Sequence, residues 1–337
     1  MREFRERTPA LVTGASGFIG RHLVRRLLSR GRRVIALARS EMQLDEIASP
    51  LLQVRAGRIE DEGSYEALLA PGLTVFHLAS ARNRPTGSLE QFERINVKAS
   101  CALAQACARA AVSVFVNVSS AVAFGSSGSP RREEDGFPEE PADGGYEWSR
   151  RENARRLQEL AGSGLRIVTV YPGIVFGPDE KTHPNRVTNH IRTLLRTRVD
   201  WTIGGGRERR TLVYVHDVVE GILLAESAGR AGRRYILGGE DWSPAELNSA
   251  ALAAAGSAAR ARISIPVSLA RFAARAADRL CGFPRAAGCE RAIDMVTRPW
   301  RFSSARAAEE LGYRWTPLHE AVNRTVQFLK AGVDDRG

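Results

Sequence analysis

Tyr146 and Arg150 stand four residues apart in GGYEWSRRENARRL (residues 144–157), a stretch that reads as a helix with the tyrosine at its mouth. Residues i and i+4 share a helix face, so phenol and guanidinium are neighbours. A free tyrosine, with a pKa near 10, is a poor base at neutral pH, and a nearby cation favours its phenolate. The pair can therefore form a device for moving a hydroxyl proton. Ser120, in VNVSSAVAFG, lies 26 residues before Tyr146 and ends an apolar run. Its hydroxyl can hold a substrate oxygen while Tyr146 gives or takes the proton.

A second constellation opens the chain. LVTGASGFIG places Gly14, Gly17 and Gly20 between an apolar run and an amphipathic stretch. Small residues there let the backbone approach a pyrophosphate, whose charge meets the free N–H groups of a helix N-terminus. The next apolar run ends ALARS. An acidic residue at that point would hold a ribose 2′-hydroxyl and repel a 2′-phosphate. Ala38 is neutral and Arg39 can pair with a phosphate, so the sequence favours NADP(H) over NAD(H).

These residues need a scaffold that brings strand ends together. ALVTG, RVIALA, LLQVRA, LTVFHLA, VSVFVNVSS and RIVTVYPG read as six buried strands, separated by longer amphipathic stretches. In FIGRHLVRRLLSR, Ile19, Leu23 and Leu27 share one helical face before a C-capping Gly31. Alternating strands and helices predict an α/β fold, a doubly wound parallel sheet of the Rossmann type. RRYILGG, at 233–239, is one more strand returning to it. The predicted division is a dinucleotide-binding domain over 1–173 with return segments near 211–240, and a smaller substrate-binding lobe over 174–210 and 241–330. Residues 126–145 and the tail after Lys330 read as loop, the former well placed to serve as a lid before Tyr146.

The 337 residues are 43% apolar, enough for a substantial core. MREFRERTPA lacks the apolar stretch of a signal peptide, and no later run reaches the roughly 18 apolar residues of a membrane span. A cytoplasmic protein is expected, in which Cys101, Cys107, Cys281 and Cys289 are reduced structural thiols. Neither they nor the six histidines form a metal-ligand pattern, so no metal is expected. The net charge is +11, but the arginines are scattered rather than interleaved with aromatics, and no nucleic-acid role is expected.

Taken in order, TGASGFIG, VFHLASA, INVKAS, VNVSSAVAFG, the Tyr-x-x-x-basic helix, VYPGIVFGP and LVYVHDVVEGI resemble the extended short-chain dehydrogenase/reductase family over nearly the whole chain. The C-terminal half most resembles the branch of dihydroflavonol reductase-like proteins, 3β-hydroxysteroid/sterol dehydrogenases and hopanoid-associated epimerase-like proteins. The resemblance implies Ser120, Tyr146 and Arg150 as catalytic residues. It places cofactor contacts on Gly14, Ser16, Gly17, Phe18, Ile19, Gly20, Arg39, Ser40, Leu78, Ala79, Ser80, Pro172, Gly173 and Val175, besides Tyr146 and Arg150. Two positions depart from the family pattern. Its lysine falls on Arg150, which keeps the charge but is longer and planar, and its strand-three aspartate falls on Arg58.

The implied substrate is bulky and lipophilic, a 3β-hydroxysteroid or sterol, with a decarboxylating 4-carboxysterol 3-dehydrogenase as one specific form. A sugar-nucleotide epimerase or dehydratase and a non-catalytic nucleotide-binding protein stand as alternatives. Arg210 matches an arginine that sugar-nucleotide epimerases use for a diphosphate, although a run of arginines beside a turn also reads as a solvated loop. SIPVSLARFAARAADRLCGF reads as an amphipathic helix beginning near Pro266, with Arg271, Arg275 and Arg279 opposite Leu269, Phe272 and Leu280. It would cover an apolar substrate pocket, rest peripherally on an anionic membrane at the inner face, or simply expose a solvated basic face. A homodimer paired through helices around Tyr146 is implied by the resemblance alone, and Arg150 and Arg151 could serve either the site or that interface.

Overall fold

In the computed structural model, residues 8–81, 88–139, 145–160, 164–179, 185–282 and 289–334 are described. Seven strands form the main sheet: β1 (Ala10–Thr13), β2 (Val34–Ala38), β3 (Leu52–Ala56), β4 (Thr74–His77), β5 (Val114–Val118), β6 (Arg166–Pro172) and β7 (Arg234–Leu237). All pair in parallel, in the order β7-β6-β5-β4-β1-β2-β3. The chain runs outward from β1 to β3, then returns to β4 on the other side of β1. This reversal opens a crevice at the carboxyl ends of β1 and β4, the usual ligand position in such sheets.

The period-two pattern of the strands feeds two cores. Val12, Phe76, Val116 and Val168 face one layer with Leu23, Val24 and Leu27 of helix Phe18–Ser29 and Val218 and Ile222 of helix Val215–Ala228. Leu11, Val75, Phe115 and Ile167 face the opposite layer with Leu103 and Cys107 of helix Ser100–Arg109. With both faces covered, the central strands carry apolar residues throughout. β3 is the exception to the expected six buried strands: it lies at the edge, and Gln53, Arg55 and Ala56 are exposed. Helix Phe18–Ser29 ends where Gly31 takes φ +71°, and the Arg32 N–H bonds the Leu27 carbonyl at 3.1 Å, as the Gly31 cap predicts.

A second sheet carries the lobe. Strand Arg210–Tyr214 pairs with Glu240–Trp242, Ile174–Phe176 and Trp300–Phe302, and the last pairs with Ser127–Arg131. Two expectations change here. Ser127–Arg131, read as loop and as part of the N-terminal domain, is a strand of this second sheet. Residues 211–214 belong to that sheet too, whereas β7 alone returns to the main one. Of the remaining expected lid, residues 140–144 lie outside the described residues.

Helix Val267–Cys281 begins beside Pro266 as expected, but its basic stripe is not simply solvated. Arg271 pairs with Asp294 at 2.8 Å and Arg275 with Glu290 at 2.7 Å, on the following helix Cys289–Thr297. Leu269, Phe272 and Leu280 face outward instead. Cys101 and Cys107 are buried, and burial pushes their thiols up to about 11 and about 12, whereas Cys281 is exposed and Cys289 half-buried.

Candidate active site

The glycine loop is set by backbone-on-backbone packing. A Cβ on Gly14, which has φ +67°, would lie 2.6 Å from the Ala79 nitrogen, and one on Gly20 would lie 2.2 Å from the Gly14 carbonyl oxygen. These two glycines let β1, the β4 exit and helix Phe18–Ser29 meet. Gly17 is less constrained: its Cβ would meet that carbonyl oxygen at 3.1 Å, a tight contact but well short of the Gly20 clash. It stands at the N-cap of the helix, where no side chain caps and no acidic residue occupies the first turn. Uncapped N–H groups and an open approach fit a pyrophosphate. Ser16 donates to Gln43 Oε1 at 2.9 Å, while Phe18 and Ile19 open the helix half-buried. Gln43 is a contact that local spacing did not reveal. Its carbonyl also accepts from Arg21, which pairs with Glu46.

A buried relay braces the floor of this crevice. His77 Nδ1 lies 2.8 Å from Thr13 Oγ1, and Nε2 lies 2.8 Å from Ser100 Oγ. Thr13 Oγ1 accepts from the Ala79 N–H at 3.3 Å, which fixes the loop Leu78, Ala79, Ser80 against β1. Burial, with the Arg150 charge in support, lowers the His77 pKa to about 3, so the ring is neutral and each nitrogen has one role. At the end of β2, Arg39 is exposed, Ser40 half-buried, and no carboxylate pairs with Arg39 among the described residues. Gly57 N–H bonds the Ala38 carbonyl at 2.8 Å, which brings the exposed Arg58 to the same strand end.

The residues expected to move the proton lie at the end of β5 and at the start of helix Gly145–Leu160. Ser120 precedes the short turn Ala121–Phe124 in extended conformation and spends no side-chain bond on capping it. That turn packs in one apolar cluster with Tyr171 and Trp300, against which Tyr146, Ile174 and Met295 lie half-buried. Tyr146 meets Phe92 edge-on at 5.8 Å. Arg150 is 5% exposed, and its guanidinium carbon sits 4.9 Å from the Tyr146 ring centroid. The predicted pair is therefore formed as a cation over a ring face. The Arg150 Nε is buried with no hydrogen-bond partner among the described residues.

Asn96 is a positioning residue that the motif INVKAS contains but whose partners only the fold supplies. Helix Leu89–Phe92 widens to a π-turn over Glu93–Ala99, which carries Asn96 inward. Its Oδ1 accepts from the Ala81 N–H at 2.7 Å, and its Nδ2 donates to the Ala81 carbonyl at 3.2 Å and to Ser149 Oγ at 3.0 Å. Ser149 in turn donates to the Tyr146 carbonyl at 2.7 Å. The cofactor floor and the tyrosine helix are thus joined by one amide.

A profile of the NAD dependent epimerase/dehydratase family matches residues 10–238. The chain belongs to that family. It is an NAD(P)-dependent oxidoreductase. A ketoreductase of Stigmatella aurantiaca acting on 4-hydroxy-2-methyl-3-oxo-4-farnesyl-3,4-dihydroquinoline-1-oxide is 29% identical over 92% of this chain and 92% of its own. Sterol demethylase protein B of Methylococcus capsulatus is 29% identical over 68% of this chain and 69% of its own. Among solved structures, a dTDP-glucose 4,6-dehydratase from Streptomyces venezuelae with NAD bound superposes with a TM-score of 0.77, at 24% identity over 97% of this chain and 98% of that one.

A buried ion pair ties helix Gly145–Leu160 to helix Cys289–Thr297. Glu147, next to Tyr146, is 2% exposed and pairs with Arg291 of helix Cys289–Thr297. Arg151 stands in the same cluster, 8% exposed, with its Nε donating to the Ala123 carbonyl at 2.8 Å, and burial lowers its pKa. Arg151 therefore braces the Ser120 turn within its own chain. Arg210 also departs from the solvated-loop reading. It begins a strand between Trp242 and Trp300, its Nε is buried without a partner, and burial lowers its pKa to about 10. Pro172 is buried, and Gly173 and Val175 follow β6 half-buried; a Gly173 Cβ would lie 2.9 Å from the Thr211 carbonyl oxygen.

Proposed function

We propose that this protein is an NADP(H)-dependent dehydrogenase or reductase that interconverts a secondary alcohol and a ketone on a bulky lipophilic substrate of the 3β-hydroxysteroid or sterol class. The observation that carries the substrate class is the apolar setting of Tyr146, among Phe92, Ile174 and Met295 and the Ala121–Phe124 cluster. Two relatives with long or polycyclic hydrocarbon in their names, the farnesylated quinoline ketoreductase and sterol demethylase protein B, support it. Arg39, with no acidic residue ending β2, supports NADP(H).

Gly14, Gly17, Gly20, Ser16 and the Leu78–Ser80 loop would hold the dinucleotide, with Arg39 and Ser40 toward a 2′-phosphate. When bound, the nicotinamide supplies or accepts the hydride at the carbinol carbon. Ser120 holds the substrate oxygen, Tyr146 gives its proton to the forming alkoxide or takes it from the alcohol, and Arg150 balances the charge on the phenol. A carboxylate on the carbon beside the new ketone makes a β-keto acid, which loses CO₂; this is the 4-carboxysterol form of the reading.

A second reading, a sugar-nucleotide epimerase or dehydratase, rests on the buried, unpartnered Nε of Arg210. The test follows reduced-nicotinamide absorbance with NADP⁺ or NAD⁺ and a panel of 3β-hydroxysterols, some 4-carboxylated, for wild type and Tyr146→Phe. Tyrosine-dependent NADP⁺ reduction supports the dehydrogenase. Cofactor that survives dialysis, with no net absorbance change during turnover of a sugar nucleotide, supports the second reading. Cofactor binding with no turnover of either class, and no effect of Tyr146→Phe in cells, identifies a non-catalytic binder.

A further inference from the structure

Helix Val267–Cys281 is built inside out. Its buried residues are Ala270 and Ala274, whereas Leu269, Phe272 and Leu280 are 57%, 73% and 88% exposed. A helix resting on a protein core normally turns its large apolar side chains inward. Here Leu269, Phe272, Ala273, Ala276 and Leu280 follow the i, i+3, i+4, i+7, i+11 spacing of a single stripe, and that stripe faces away from the chain. The Arg271–Asp294 and Arg275–Glu290 pairs hold the helix to its neighbour and so fix the stripe's direction. Contiguous exposed apolar surface of this kind marks an interaction site.

The charges around the stripe say what covers it. Arg275 and Arg279 border it, and Arg279 is exposed with no ion-pair partner among the described residues. The helix has one carboxylate, Asp278, which turns back toward the protein and accepts the N–H groups of Cys289 at 2.6 Å and Glu290 at 3.0 Å. Among the described residues the outer face therefore combines large hydrocarbon side chains with the unpaired cation Arg279, while the Arg275 charge is met by Glu290. At 15 residues the helix spans about 22 Å, and no helix among the described residues is long and apolar enough to cross a membrane.

We infer that helix Val267–Cys281 is an interfacial anchor that lays Leu269, Phe272 and Leu280 into the headgroup region of an anionic lipid bilayer, with Arg279 at the phosphate level. A second copy of this chain fits less well, because pairing two such stripes sets one unpaired Arg279 against another. The anchor stands independently of the substrate reading. If that reading also holds, the site draws its substrate from the same bilayer.

The test is co-sedimentation of the full chain, loaded with NADPH, with phosphatidylcholine vesicles that contain or lack phosphatidylglycerol. Wild type binds the anionic vesicles more strongly, and added salt weakens binding. Phe272→Glu together with Leu280→Glu lowers the partition coefficient at least about tenfold. Arg279→Glu lowers it for anionic vesicles only. Both variants keep NADPH affinity and melting temperature, because the altered side chains are exposed; should the glutamate pair fold poorly, Phe272→Ser with Leu280→Ser takes its place. Failure of wild type to bind, or equal binding by wild type and folded variants, overturns the anchor. So does conversion of a dimer to a monomer by the same variants with vesicle binding unchanged, which assigns the stripe to a second copy.

Discussion

Arg150→Met removes the charge beside Tyr146 while keeping an apolar stem of similar reach. The guanidinium carbon lies 4.9 Å from the ring centroid, and the side chain is 5% exposed, so solvent screens it little. Taking the ring centroid as the centre of the delocalised phenolate charge, the pair interacts by about 3 kcal/mol at an effective dielectric constant of about 20. The face-on attraction alone is worth about 2 kcal/mol when desolvated. The substitution should therefore lower kcat/KM by about 30-fold to 150-fold. Arg150→Lys keeps the charge but loses the planar guanidinium, and should recover activity to within about tenfold of wild type. Initial rates from reduced-nicotinamide absorbance measure both, and NADPH titration by fluorescence separates a lost charge from lost cofactor. If Arg150→Met binds NADPH normally and keeps kcat/KM within about threefold of wild type, the cation over the ring has no catalytic part.

Gly17 and Gly20 should fail differently. Gly20→Ala drives a Cβ to 2.2 Å from the Gly14 carbonyl oxygen and should lower the melting temperature as well as cofactor affinity, whereas Gly17→Ala, at 3.1 Å from the same oxygen, should lower the melting temperature less and still weaken NADPH binding. Arg39→Ser should raise the dissociation constant for NADPH about tenfold and leave that for NADH unchanged, a difference of one charge-assisted contact discounted for exposure. Arg291→Met strands the buried Glu147 carboxylate and should cost about 3–5 kcal/mol in chemical denaturation; a double variant with Glu147→Gln should be much less destabilised. His77 titrates in the unfolded chain near pH 6.5 but in the folded protein only at about 3, so the unfolded state binds more protons between these values. Stability should fall as pH drops through that window, by at most about 1.4 kcal/mol per pH unit from this group, and His77→Asn should show a shallower fall in urea midpoint.

What the sequence determined by itself is local in origin. The strand runs β1, β2, β4, β5 and β6 are short and rich in Val, Ile and Leu because each is covered on both faces. Helix Phe18–Ser29 is legible from its spacing, and its stop from Gly31, the residue that takes φ +71° at least cost. The glycine trio and the Tyr146–Arg150 pair are legible for the same reason, since one turn or one helix face sets their geometry.

The tertiary structure decided everything that depends on distant partners. Ser127–Arg131 has no strand propensity of its own and becomes a strand by pairing with Trp300–Phe302. Asn96 and Ser149 are 53 residues apart in sequence, and Glu147 and Arg291 are 144 apart, so no spacing could announce either contact. Arg210 read as one arginine in a solvated run until the strands bearing Trp242 and Trp300 enclosed it. The amphipathic pattern of residues 267–281 is plain in the sequence, but periodicity is symmetric between inside and outside. Only the packing of Ala270 and Ala274 against the chain, and the ion pairs of Arg271 and Arg275, determine that Phe272 and Leu280 face out.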